Sequence, residues 1–123
     1  MDKIYFANNV ERIEAFEERC CVRIENISFK FNIVEHWGKS IINTFFEVYS
    51  TNEDNSIPGD IQFQIVFYDT DGKILAYSIT SWDDIKKDNF MGFAVIESYG
   101  AYVPCDLDNR IGKVRIYPTM ELD

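Results

Sequence analysis

The chain has 123 residues, 46% of them hydrophobic, with ten Phe and seven Tyr but only six Gly and three Pro. That suits one domain with one real core and excludes wholesale disorder, a linker or a low-complexity protein. Twelve basic residues against 21 acidic ones leave a net charge of −9, which repels phosphate backbones and anionic membranes, so neither nucleic acid nor a membrane is expected as a partner.

The first nineteen residues (1–19) allow two readings. Val10, Ile13, Phe16 and Cys20 fall near one helical face, and Asn8 with Glu11 has capping-box spacing, so a short helix over about residues 9–18 is expected. The alternative is an extended segment leading into the first strand. No apolar stretch of signal-peptide or membrane-span length occurs, which predicts a cytoplasmic protein.

From Cys20 the pattern alternates. Cys20, Val22 and Ile24 share one face; the phase then slips, and Ile27, Phe29, Phe31 and Ile33 share it instead. The slip predicts a β-bulge or turn near Glu25-Asn26. His36-Trp37-Gly38-Lys39 reads as a turn, residues 41–50 as a strand rich in aromatic and β-branched types, and Thr51 to Pro58 as a loop. Next comes the clearest local signal. Ile61, Phe63, Ile65 and Phe67 line one face, Asp69-Thr70-Asp71-Gly72 turns the chain, and Lys73 to Thr80 runs back as a hairpin. Ser81 to Asn89 reads as a loop or a single helical turn with Trp82 embedded, Phe90 to Ser98 as a strand, Tyr99 to Asn109 as turns, and Ile111 to Tyr117 as the last strand before Pro118. With no helices of useful length between strands, a parallel α/β sheet is not expected. The fold class is all-β: an antiparallel sandwich of about seven strands, immunoglobulin- or fibronectin-like, over residues 20–118, with 119–123 as a tail.

The hairpin Phe63-Gln64-Ile65-Val66-Phe67-Tyr68-Asp69-Thr70-Asp71-Gly72-Lys73-Ile74 resembles that of the bacterial FxLYD-type domains, small immunoglobulin- or fibronectin-like sandwiches. Tyr68, Asp69 and Gly72 match the pattern, whereas Ile65 stands where the namesake Phe would be and Phe67 where the Leu would be. The stretch Arg110 to Pro118 is similar to the last strand of such domains. The resemblance covers residues 41–118 at most. It implies an accessory or interaction module without a defined catalytic site, and it carries over no functional residues.

The residues themselves offer little catalysis. A nucleophile, a base and an orienting acid would have to converge, and the chain has one histidine, His36, with no nucleophile-elbow motif. Cys20, Cys21 and Cys105 are an odd set without disulfide-framework or zinc spacing, so reduced thiols are expected. No enzyme activity and no cofactor are expected. Asp69 and Asp71, beside Gly72, form a fragment of a calcium loop, although the full pattern is missing and Asp serves turns equally well. Trp37, Trp82, Asp83 and Asp84 are the candidate residues for a small ligand, calcium or carbohydrate. The leading expectation is a non-catalytic module whose loops or edge strand contact another protein or a second copy.

Overall fold

A computed structural model describes residues 2–5, 10–34, 38–57, 60–82, 92–104 and 111–120. The elements in chain order are β1 (Asp2–Tyr5), β2 (Val10–Arg12), α1 (Glu14–Cys20), β3 (Val22–Val34), β4 (Lys39–Ser50), β5 (Ile61–Asp69), β6 (Ile74–Ser81), β7 (Phe93–Pro104) and β8 (Ile111–Met120). They form two four-stranded sheets, ordered β1-β3-β4-β7 and β2-β8-β5-β6. The all-β expectation therefore holds, with one short helix. Every pairing is antiparallel except β2 on β8, which is parallel.

The core follows from the alternation in sequence. In β5, Ile61, Phe63, Ile65 and Phe67 are all fully buried, while Gln62, Gln64 and Tyr68 lie on the other face, half-buried. Phe63 meets Phe46 of the opposite sheet with ring centroids 5.4 Å apart, and Phe67 meets Phe29 at 5.7 Å; both pairs are edge-to-face. Each fully buried Phe contributes about 1.5–3 kcal/mol of transfer free energy, so these four rings join the sheets strongly. The phase slip in β3 is a real bulge. Its register with β4 shifts between Glu25 and Ser28, and Asn26 sits at φ 52°, a left-handed conformation that Asn tolerates better than most residues. On either side of it Val22, Ile24, Phe29 and Phe31 all point inward.

Three boundaries differ from expectation. The helix spans Glu14–Cys20, later than 9–18, because Val10 and Arg12 pair with Val114 and Ile116 of β8 and so stay extended. Its N-cap is Ile13, without a side-chain cap, and Asn8 lies outside the described residues. The helix ends at Cys21, which adopts φ 60° and turns the chain into β3. Second, Tyr99 to Pro104 continue β7. One extra residue on β7 between Ser98 and Ala101 forms a bulge at Gly100's neighbourhood, and Tyr102 and Pro104 then pair with Ile41 and Lys39. Third, Thr119 and Met120 belong to β8, paired with Gln62 and Ile61, rather than to a tail. Pro118 fits because it lies beyond the stretch of β8 that β2 covers.

Candidate functional site

Each sheet leaves backbone groups unpaired along its edges, and a chain must guard or use them. Among the described residues three of the four sheet edges are guarded. β1 is four residues long and carries Asp2 and Lys3; β2 is three residues long and carries Glu11 and Arg12. β7 has Glu97, an edge bulge and a terminal proline.

The N-terminal half of β3 is guarded by side chains. β1 covers only Phe29 to Asn32, so among the described residues no strand pairs with the earlier part of β3 on that side. There the Ile24 N–H donates to Glu17 Oε1 at 3.0 Å, and Arg12 Nη1 donates to the Ile24 carbonyl at 2.6 Å. Arg12 and Glu17 are themselves 3.5 Å apart. Together they satisfy both backbone groups of one edge residue, as a neighbouring strand would. Glu17 is 4% exposed, and its Oε2 has no hydrogen-bond partner among the described residues. Burial raises the Glu17 pKa, against the lowering effect of the Ile24 N–H and Arg12.

β6 is different. It runs Ile-Leu-Ala-Tyr-Ser-Ile-Thr-Ser from 74 to 81, with no charge, no proline and no glycine. Its register with β5 shifts once, next to the turn, and from Ala76 to Ser81 the pairing is regular. Ala76 and Ser78 point inward and are buried, whereas Tyr77 is 66% exposed and Ile79 48%. Ile74, at the turn end, is exposed as well. Among the described residues no strand pairs with β6 on the side away from β5. On the inner face the strand is tied to the opposite sheet by hydroxyls: Thr80 Oγ1 donates to Ser98 Oγ at 2.5 Å, and Ser78 Oγ lies 3.3 Å from the same atom. This edge is held in place, apolar on its outer side and electrically neutral.

The hairpin turn fixes where β6 begins. Asp69 Oδ1 accepts the N–H groups of Asp71 and Lys73 at 2.8 and 2.9 Å, the Asp69 N–H donates to the Lys73 carbonyl, and Gly72 takes φ 86°. Gly112 of β8 packs against this turn so closely that a Cβ there would stand 2.8 Å from the Asp69 carbonyl oxygen. Beyond β6 the outward face of its sheet is an ordered polar and aromatic surface. Arg115 Nε bonds Glu11 at 2.8 Å, Lys113 and Arg115 both lie over the Tyr68 ring, and Gln64 donates to Thr119.

The candidate residues read from sequence are not brought together here. Trp82 was expected in a loop, free to meet a ligand. It is 2% exposed and packs edge-on against Phe63 with centroids 6.5 Å apart, so its ring belongs to the core. The reason is position: Trp82 follows directly on β6, whose last residues pair with Gln62 and Phe63, and turns in over the start of β5. Asp69 is buried and occupied with the turn, and Asp71 is exposed. Trp37, Asp83 and Asp84 lie outside the described residues, as do His36 and Cys105. Among the described residues there is no group of three or more His, Cys, Asp or Glu that could hold a metal ion, and no helix is long and apolar enough to cross a membrane. Reasoning from sequence missed Tyr77 and Ile79 as surface residues. No local signal marks them: residues 74–82 carry no charge, but neither do 61–68, 89–96 or 98–105.

One hollow adjoins the helix and another lies beside the bulge of β3. One, of about 370 Å³, lies between α1 and the end of β8, lined by Phe16, Arg19, Cys20, Pro118, Thr119 and Met120. The other, wide open, is lined by Val10, Arg12, Ile24, Glu25, Asn26 and Ile27. Burial raises the Cys20 thiol pKa, the opposite of what a nucleophilic thiolate requires. In comparison with known proteins, no family model, no curated protein and no solved structure matches this chain.

Proposed function

We propose that this chain is a non-catalytic protein-interaction module of immunoglobulin- or fibronectin-like build, which receives a strand of its partner along β6. The observation that carries the reading is the contrast among edges: β6 alone among them lacks charge, proline and glycine, and it exposes Tyr77 and Ile79. Strand addition takes its affinity from main-chain hydrogen bonds and its specificity from alternate side chains, and β6 offers both.

Connectivity supports the immunoglobulin-like build. β4 pairs with β7 in one sheet while β5 pairs with β8 in the other, the interlocked arrangement of strands B, E, C and F in such domains. β2, lying parallel on β8, is an addition to that plan. The likeness of the β5–β6 hairpin to the FxLYD-type domains rests on Tyr68, Asp69 and Gly72, whose turn the Asp69 carboxylate closes. The free thiols of Cys20 and Cys21 support a reducing, cytoplasmic setting.

The test is a capture experiment with three baits: the native chain, Ile79→Lys, and Val95→Lys as a control on the outward face of the other sheet, where Val95 is 51% exposed. A partner held by the native and Val95→Lys baits and lost from Ile79→Lys is the expected result. Retention that ignores the β6 substitution would overturn the reading.

A further inference from the structure

We infer that the strand received by β6 is the β6 of a second copy of this chain, in antiparallel register about a two-fold axis midway between the two Ser78 residues. The inference rests on the edge reading above and names its occupant.

Symmetry narrows the register. Antiparallel pairing of a strand with its own copy requires a two-fold axis normal to the sheet, and that axis keeps the outward face outward in both copies. Residues directly opposite each other share a face, so the two paired numbers must sum to an even value, and one residue stands opposite its own copy across the axis. The regular part of β6 is Ala76 to Ser81, with its outward pair, Tyr77 and Ile79, flanking Ser78. An axis at Ser78 sets Tyr77 of each copy opposite Ile79 of the other, on the exposed face, twice over. Aromatic rings against β-branched side chains are among the favourable cross-strand pairs. On the inner face the same register matches Ala76 with Thr80 and leaves no large side chain to clash.

Charge narrows the occupant. Two chains of −9 repel one another, and a stable self-contact must lie where neither copy presents a like charge. β6 meets that condition, because residues 74–82 carry no charge at all. The charges that bound it in sequence are of opposite sign at its two ends, Lys73 before it and Asp83 with Asp84 after it. Antiparallel self-pairing runs the basic start of each strand toward the acidic end of the other, which favours this direction over a parallel one. The joined sheets then form one eight-stranded sheet, β2-β8-β5-β6 followed by the same four strands of the second copy in reverse order.

Sedimentation velocity over a range of concentrations tests this. The native chain and Val95→Lys are expected to pass from monomer to dimer as concentration rises, with the β6 amides gaining exchange protection in step. Tyr77→Lys and Ile79→Lys are each expected to weaken the dimer by about tenfold or more, because symmetry applies every substitution twice. Salt gives a second readout of opposite sign to that of a basic partner. Between about 10 mM and about 150 mM salt the screening length falls from about 30 Å to about 8 Å, so repulsion between the two copies fades and the dimer tightens. A monomer at every concentration, a dimer indifferent to the β6 substitutions, or one that loosens over that salt range would overturn the inference. A monomer whose capture of another protein still depends on Ile79 would remove self-pairing and leave the edge reading standing. Indifference of both experiments to the β6 substitutions would remove both.

Discussion

Among the described residues the early part of β3 and the whole of β6 present the same problem, a strand paired on only one side, and the chain treats them oppositely. At Ile24 it recruits Arg12 and Glu17 to bond both the carbonyl and the N–H, and it places a carboxylate of 4% exposure in the core margin to do so. At β6 it spends no charged residue and leaves Tyr77 and Ile79 facing outward. An ionised group near a core is costly even when paired, so its use at β3 shows how firmly this sequence closes an edge that is to stay closed. Among the described residues no charged side chain caps β6 in this way, which supports the proposal that it is a surface for use.

Removing the guard should have the largest effect on stability. Glu17→Ala takes away the acceptor of the Ile24 N–H and the partner of Arg12, and leaves a buried donor unsatisfied. A loss of about 2–3 kcal/mol is expected, read from the shift in denaturation midpoint at constant m-value. By contrast Ile79→Lys, at an exposed position of the open edge, should leave the midpoint of the monomer almost unchanged while acting on association. If both substitutions cost the same, the distinction between a guarded and an open edge is wrong.

The turn that anchors β6 offers a second test, somewhat smaller. Gly112→Ala would set a methyl group 2.8 Å from the Asp69 carbonyl oxygen and 2.9 Å from the Thr70 Cα. These are backbone atoms, so the turn or β8 must move. We expect a cost of about 1–3 kcal/mol, together with chemical-shift changes from Asp69 to Lys73 that fade along β6. Changes confined to Gly112 and its chain neighbours would show that the turn does not hold the edge in place.

Much of this architecture was legible because strand faces have a period of two. Ile61, Phe63, Ile65 and Phe67 announced the core face of β5, the slip at Glu25-Asn26 announced the bulge, and Asp69 with Gly72 announced the turn. The errors came where distant contacts outweigh local pattern. Val10 and Arg12 read as part of a helix until β8 supplies a strand to pair with, and Tyr99 to Pro104 read as turns until β4 supplies theirs. The site was less legible than the fold. Trp82 in a polar stretch looked like a ligand platform, but the step from β6 into the next segment swings its ring onto Phe63. β6 itself was correctly read as a strand, yet its place at a sheet edge depends on the spatial order of eight strands, which no local pattern encodes.

The finest test of the contrast is the pH dependence that Glu17 introduces. Its folded-state pKa is raised above the ordinary 4.5, chiefly by burial, so the folded chain holds this proton to higher pH than the unfolded chain does. Linkage then fixes the sign. The contribution of Glu17 to stability is fully present below pH 4.5 and declines as pH rises through the folded-state value, where ionisation in the buried site begins to cost. Other carboxylates titrate over the same range, so the informative quantity is the difference between the native chain and Glu17→Gln. The glutamine keeps an oxygen for the Ile24 N–H but does not ionise. Relative to that variant, the native chain should lose stability as pH rises from 4 toward neutrality. A difference that is flat in pH, or that rises, would mean that Arg12 and the Ile24 N–H outweigh burial at this site. The guard on β3 would then be a fully compensated ion pair, and its contrast with β6 would lie in charge alone, with no cost in buried ionisation.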